Sequence, residues 1–124
     1  MMEIEFILYV KDQKISKEFY EQLLEQSPIL DVPGMTSFQI NESTRLGLMP
    51  EEGIAKIITP ILNHPKQSNG TPRCELYLKV ENLSKTCSTL DRLGATLVSP
   101  TQMRSWGVEV AYYADPDTHV IALF

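Results

Sequence analysis

The eight residues EFILYVKD, from Glu5 to Asp12, recur as ELYLKVEN, from Glu75 to Asn82. Each segment has the apolar run of a strand and ends in a residue that accepts hydrogen bonds from the first free amides of a helix. The pattern predicts a strand followed by a helix at both places. The shared spacing of the two segments predicts an internal repeat.

Each copy continues with a helical pattern and three short strands. An apolar stripe with helical spacing follows each predicted N-cap, formed by Ile15, Phe19 and Leu23 and by Leu83, Cys87, Leu90 and Leu93. Gly94 suits the left-handed end of the second helix. Turn residues, including Pro100, then separate strands predicted at roughly 28–32, 36–40, 44–49, 95–99, 107–114 and 118–124. The chain is therefore predicted to be an α+β protein made of two βαβββ modules.

The length of 124 residues fits a single domain over 1–124. Its first module is predicted at about 1–50, its linker at about 51–72 and its second module at about 73–124. The linker holds a short apolar stretch, Ile54 to Leu62, that predicts one or two helical turns. A connection of this length allows the modules to pair within one chain or to exchange between two chains.

Charge and composition exclude several classes of partner. The net charge of −5 repels phosphate backbones, so nucleic acid is not an expected partner. No apolar run has the length of a membrane span, and residues 1–5 lack the pattern of a signal peptide, so we expect a cytoplasmic protein without a membrane partner. Cys74 and Cys87 are expected to be reduced thiols, although a catalytic thiol stays open.

The order of these elements resembles the vicinal oxygen chelate superfamily, which contains glyoxalases, extradiol dioxygenases, fosfomycin-resistance enzymes and bleomycin-resistance proteins. The resemblance covers nearly the whole chain. It rests on 9–12 with Phe19-Tyr20, on 75–82, and on Trp106-Gly107 followed by 113–119. The resemblance implies that the mixed sheet curls into a half-barrel cup that has its helices on the outside and binds a small molecule. With this fold we expect a homodimer.

The same resemblance implies four metal-ligand positions, which here are Glu5, Gly47, Glu75 and Ala122. Gly47 and Ala122 have no side-chain donor, whereas an open catalytic metal site normally keeps three protein ligands. We therefore expect no resident cofactor. A weakly bound Mg²⁺ or Mn²⁺ held by the two carboxylates and water stays open as an alternative.

Strand alternation places Glu5 with Ile7 and Tyr9 on one face, and places Ile4, Phe6, Leu8 and Val10 against the helix. A carboxylate on a cup-facing strand is costly without a partner, a ligand or water. If Glu5 and Glu75 approach each other, they are candidates for a shared proton, for a grip on a cation or donor, and for a general base. The alternative is that both are solvated, or paired with Arg45, Lys79 or Arg73.

Apolar side chains with a few polar anchors are typical of small-molecule pockets. The residues expected to line such a pocket are Tyr9, Tyr77, Trp106, Phe38, Met49, Tyr112 and Arg104. About half of the aromatic set is alternatively ordinary core. Arg104 is either a cation for an anionic group of the ligand or an exposed loop charge.

Three functions follow from these residues. The first is metal-independent binding or sequestration of a small organic ligand, as in the drug-binding members of the superfamily. The second is a lyase, isomerase or epimerase in which Glu5 or Glu75 removes a proton next to a carbonyl. The third is a regulatory or protein-interaction module whose cup is filled by side chains.

Overall fold

The computed structural model describes residues 2–124, which divide into two units between residues 69 and 70. The elements of the first unit are β1 (Ile4–Val10), α1 (Gln13–Leu24), β2 (Leu30–Val32), β3 (Met35–Asn41), β4 (Thr44–Pro50), α2 (Glu51–Ile58) and a 3-10 turn (Pro65–Ser68). Its four strands form one sheet in the order β1-β4-β3-β2, in which β1 is parallel to β4 and the other pairs are antiparallel. We call it the first sheet.

The second unit repeats this arrangement. Its elements are β5 (Glu75–Leu78), α3 (Leu83–Arg92), β6 (Thr96–Met103), β7 (Glu109–Ala114) and β8 (Val120–Leu123). The strand order in this second sheet is β5-β8-β7-β6, with β5 parallel to β8. The prediction of an α+β protein with two βαβββ modules is therefore confirmed.

The predicted helix boundaries have the expected chemistry. Asp12 Oδ1 accepts a hydrogen bond from the Ile15 amide, and Asn82 Oδ1 accepts one from the Lys85 amide, both at 3.1 Å. Gly94, just after α3, has φ +76°, which glycine adopts without the steric cost of a Cβ atom. The repeated Asp and Asn thus start both helices at the same point after the first strand of each module.

The face that α1 buries differs from the predicted one. Its buried residues are Ser16, Phe19, Tyr20 and Leu23, whereas Ile15 is 53% exposed. The helix is rotated by about one position, so that Tyr20 rather than Ile15 faces the sheet. Ile4 and Phe6 are also exposed, because α1 packs against β3 and β4 and leaves the first half of β1 uncovered.

Two further expectations concern the linker and the region near Pro100. The linker prediction of helical turns is met by α2, which begins at Glu51 and packs against β1 and β4 of the first unit. The turn predicted near Pro100 is wrong, because β6 continues through it with shifts in register on either side of Ser99. The strand is at the edge of the second sheet, where a proline costs no ladder hydrogen bond. None of the helices in residues 2–124 has the length and apolar character needed to cross a membrane.

The turn between β7 and β8 contains Thr118 with φ +67°, a left-handed conformation that is strained for a β-branched residue. We expect Thr118→Gly to raise the free energy of unfolding by about 1 kcal/mol, since the relief of strain exceeds the extra chain entropy of glycine. Urea denaturation measures the change. Thr118→Ala keeps the Cβ atom and loses the hydroxyl, so it should give no stabilisation. Equal stabilisation by both variants would contradict the strain argument.

Candidate functional site

Each sheet has one face against its helix and one face turned away, which we call the distal face. In the first sheet, Gln13 of α1 donates to Thr36 Oγ1 at 2.8 Å, so Thr36 is on the helix face and its neighbour Ser37 is on the distal face. The register pairs Gly47 with Ile7 on one side and with Ser37 on the other. The distal face therefore brings β1, β4 and β3 together at Gly47.

Glu5 lies on this distal face and is half-buried. Its Oε2 atom accepts a hydrogen bond of 2.7 Å from the Ser37 hydroxyl, and Ser37 is 1% exposed. A Cβ atom at position 47 would collide with Oε2 of Glu5 and would lie 2.6 Å from Ile7 Cδ1 and 2.9 Å from Met35 Cε. The Glu5 carboxylate thus occupies the space that a side chain at position 47 would need.

The basic residue opposite Glu5 is hydrogen-bonded to a different side chain. Arg45 is the register partner of Glu5 on β4, but its Nε donates to Gln39 Oε1 at 3.1 Å. A surface pocket of about 140 Å³ opens beside Glu5 at the start of β1. Its lining residues are Glu3, Ile4, Glu5, Gln39, Glu42, Ser43 and Arg45. Three of the seven are carboxylates and one is an arginine, so the lining has an excess of negative charge and favours ligands with hydrogen-bond donors or positive charge.

Three further predicted pocket residues belong to the first unit. Tyr9 and Met49 are register partners on β1 and β4, on the same face as Glu5, and both are half-buried. Phe38 is fully buried and follows Ser37, so it points to the opposite, helix-covered face. The prediction that Phe38 lines the site is wrong, because strand alternation puts it in the core.

The second sheet brings most of its predicted residues together. Tyr113 donates to Asp91 Oδ1 of α3 at 2.9 Å, so Tyr112 is on the distal face. Its register partner is Ala122, which also pairs with Tyr77. Burial and the acceptor Asp91 raise the pKa of Tyr113, which therefore stays a hydrogen-bond donor to the helix. Tyr77, Ala122 and Tyr112 form one row across the distal face.

Trp106 and Arg104 fold back onto this row from the turn between β6 and β7. The indole Nε1 of Trp106 donates to Tyr77 Oη at 2.8 Å, and the Tyr77 ring lies 4.4 Å from the Phe124 ring. The Arg104 guanidinium lies 5.0 Å from the centre of the Tyr112 ring. The sequence placed these aromatic residues in one pocket, and the structure brings Tyr77 and Trp106 into direct contact.

Glu75 is exposed at the start of β5. Arg73, one of its proposed partners, donates instead to His119 Nε2 at 3.0 Å. Glu5 and Glu75 belong to different units, and their approach stays a prediction.

The comparisons with known proteins agree with this architecture. The fold is that of the vicinal oxygen chelate superfamily. The chain belongs to the glyoxalase-like domain family, which matches residues 3–123.

Several individual proteins are similar to the chain. An uncharacterized protein of Bacillus subtilis strain 168, YraH, is 29% identical over 122 residues, which cover 94% of this chain and 92% of that protein. A glyoxalase-related enzyme from Fulvimarina pelagi superimposes with a TM-score of 0.79 at 20% identity, over 96% of this chain and 84% of that one. A glyoxalase/bleomycin resistance protein/dioxygenase family enzyme from Burkholderia phytofirmans gives 0.76 at 15% identity, over 96% and 94%. At these identities the two solved structures support the fold alone.

The metal that this superfamily implies does not fit the first sheet. Gly47 offers no donor atom, and the Glu5 carboxylate fills the space in which a donor at position 47 would stand. Ser37 already donates to Glu5 Oε2, the oxygen nearest to that space. In the second sheet the corresponding position is Ala122, which is fully buried and also has no donor. The expected ligand positions thus supply one carboxylate to each unit.

A separate group of donors in the second unit has a structural role. Asp115, Asp117 and His119 each place one ligand-type atom within 4.8 Å of the others. His119 is 2% exposed, with Nδ1 2.8 Å from Asp115 Oδ2 and Nε2 accepting from the Arg73 guanidinium. Because arginine only donates, His119 is neutral with its proton on Nδ1. The group fixes the turn into β8, because Asp115 Oδ1 accepts hydrogen bonds from the amides of Asp117 and His119.

Cys74 is a poor candidate for a reactive thiol. Burial and the nearby negative charge of Asp115 raise its pKa above the ordinary value, so the thiolate is disfavoured. Cys74 and Cys87 are both free cysteines, as predicted. Each unit therefore has its own candidate site: Glu5 with Ser37 over Gly47 in the first unit, and Arg104, Trp106 and the tyrosines in the second.

Sequence reasoning missed Ser37. Alternation from Phe38 assigns Ser37 to the other face, but only the register shows that it lies next to Gly47.

We expect the cost of a side chain at position 47 to depend on Glu5, because the carboxylate is the first group that it meets. Gly47→Ala should destabilise the protein by about 1 kcal/mol, and less in a Glu5→Ala background, with a coupling energy of at least about 0.5 kcal/mol. Urea denaturation of the four proteins of this double-mutant cycle tests the coupling. Gly53→Ala in α2 is the matched control, since its added Cβ meets no heavy atom within 4 Å and should stabilise the helix. Strict additivity at positions 5 and 47 would refute the close contact.

Proposed function

We propose that this chain binds a small organic ligand without a metal, and that Glu5 accepts a hydrogen bond from a donor group of that ligand. The observation that carries the proposal is the position of the Glu5 carboxylate over Gly47, hydrogen-bonded by Ser37. This contact holds the carboxylate on the distal face in a fixed orientation. An oriented acceptor without a metal partner suits recognition of an N–H or O–H group.

The hydrogen bonding of Glu5 leaves room for such a group. A carboxylate accepts up to about four hydrogen bonds, and Ser37 satisfies one of them at Oε2. Within residues 2–124, Oε1 has no hydrogen-bond partner in the protein. Glu5 is half-buried, so its carboxylate is already partly shielded from water. A ligand that donates a hydrogen bond to Oε1 therefore displaces fewer water molecules than it would at a fully exposed carboxylate.

The surroundings of Glu5 favour the same ligand chemistry. Glu3 and Glu42 line the adjacent pocket, and the whole chain has a net charge of −5. Both features attract a cationic or donor-rich molecule. Tyr9 and Met49 supply apolar surface on the same face, as small-molecule sites generally do beside a few polar anchors.

Metal independence is tested by thermal unfolding of the chelator-treated protein with Mn²⁺, Ni²⁺, Co²⁺, Zn²⁺ or Mg²⁺. A ligand that binds the native state raises the melting temperature by mass action. We expect no saturable rise with any of these ions in the parent protein, in Glu5→Gln or in Glu75→Gln. A rise in the parent that both variants abolish would replace the proposal by a metal site.

Ligand binding through Glu5 is tested separately, with chelator present throughout. Native mass spectrometry of the protein with a panel of small amines, guanidines and amides should detect complexes. Glu5→Gln should weaken them by about tenfold, because a hydrogen bond to a charged acceptor contributes about 1.5–3 kcal/mol. Glu81→Gln, an exposed carboxylate of the second unit, is the control and should bind as the parent does. Failure of the whole panel, or equal binding by Glu5→Gln, would contradict the proposed role of Glu5.

A second candidate is a lyase or isomerase in which Glu5 is the general base. It is favoured by the Oε1 oxygen that faces no protein donor in the described residues, and by the similarity to a protein called a glyoxalase-related enzyme. In that case Glu5→Gln abolishes turnover of a carbonyl substrate while binding is largely kept. The binding proposal instead expects Glu5→Gln to weaken binding itself.

A further inference from the structure

The second unit contains a cation whose hydrogen-bonding capacity is incompletely used. Arg104 Nη2 donates to Ser99 Oγ at 2.7 Å, and the guanidinium lies over Tyr112. Its Nε is buried and is the one side-chain nitrogen or oxygen of residues 2–124 that is buried without a hydrogen-bond partner. A buried donor without an acceptor costs about 1–3 kcal/mol, so such a group in a native protein needs an explanation.

The turn that carries Arg104 is tightly fixed. The Arg104 amide donates to the Val108 carbonyl at 2.9 Å, and the Gly107 amide donates to the Arg104 carbonyl at 3.0 Å. Gly107 has φ +89°, which permits this reversal. Arg104 and Trp106 are therefore held two residues apart on one turn, and both side chains return to the distal face of the second sheet.

The two side chains contact strands on either side of β8. Arg104 lies on Tyr112 of β7, and Trp106 bonds to Tyr77 of β5. Both tyrosines are register partners of Ala122, so the two contacts are separated by two strand spacings, or roughly 10 Å. This distance suits a small molecule that has a charged group at one end and a flat apolar part at the other.

Exposure of the aromatic pair supports a ligand of this kind. Trp106 is 55% exposed and Tyr77 is 40% exposed, although the two side chains are hydrogen-bonded to each other. Indole and phenol rings that are ordered and accessible offer flat apolar surface for stacking.

We propose that the turn of residues 104–107 and the distal face of the second sheet form a binding site for a small carboxylate that carries an aromatic or conjugated group. The carboxylate is held by Arg104 with Ser99, and the flat group lies against Trp106 and Tyr77. The Arg104 side chain is half-buried beside Ser99, and a planar guanidinium suits hydrogen bonding to a carboxylate. A doubly charged phosphate is disfavoured by the net charge of −5 and by the single cation of the site.

Trp106 is the one tryptophan of the chain, so its fluorescence reports on this site alone. Titration with benzoate and with cinnamate should change the emission saturably, with a dissociation constant of about 1 mM, the range expected for fragments of this size. Benzyl alcohol, which lacks the charge, should bind at least about tenfold more weakly. Phenyl phosphate should bind no more tightly than benzoate.

Substitutions at Arg104 test whether its guanidinium binds the carboxylate. Arg104→Gln should weaken benzoate binding by about tenfold or more, and Arg104→Lys should give a smaller loss because it keeps the charge without the fork. Arg92→Gln, at the exposed end of α3, is the matched control and should bind as the parent does. Thermal unfolding verifies that each variant is folded.

Equal binding of benzoate by Arg104→Gln, or no saturable change with either carboxylate, would overturn the proposal. Tighter binding of phenyl phosphate than of benzoate would overturn the assignment to carboxylates. This site does not depend on Glu5, so its failure leaves the proposed role of Glu5 standing, and binding of benzoate by Glu5→Gln should equal that of the parent.

Discussion

The contact on which the account of the first unit depends is the hydrogen bond from Ser37 to the Glu5 carboxylate above Gly47. Glycine at this position makes the contact sterically feasible, because any larger residue would compete with Oε2 for the same space. Three strands contribute one residue each, so the arrangement requires the mixed order β1-β4-β3 of the sheet. Sequence, topology and site geometry are coupled at this point, because the Glu5 carboxylate occupies the space beside Gly47.

Much of the fold follows from local sequence. The repeat of 5–12 at 75–82 contains both the strand and the N-cap of each module, and these short-range features are independent of how the sheets pack. The errors arise where tertiary packing decides. Ile15 has helical spacing, but α1 faces the sheet with Tyr20, and the edge strand β6 passes through Pro100 because an edge tolerates a missing amide.

The candidate site was predictable in part, because strand alternation is a local feature of the sequence whereas strand register is not. Alternation assigns a residue to a face, and it places Glu5, Tyr9 and Met49 on the distal face. The same rule, applied from Ser37, places Phe38 in the core. Register decides which residues on a face are neighbours, and one sequence does not state the register. Thus the contact of Ser37 with Glu5, and that of Trp106 with Tyr77, became visible only in three dimensions.

The central claim is that Glu5 is a hydrogen-bond acceptor for an organic ligand and is not a metal ligand. A crystal structure of the protein grown with excess Mn²⁺ tests it most directly, because manganese scatters anomalously and is located without ambiguity. The account predicts that the bond between Ser37 Oγ and Glu5 Oε2 is retained, without an anomalous peak beside Glu5 or Gly47. A manganese ion coordinated by the Glu5 carboxylate, with Ser37 displaced, would contradict it.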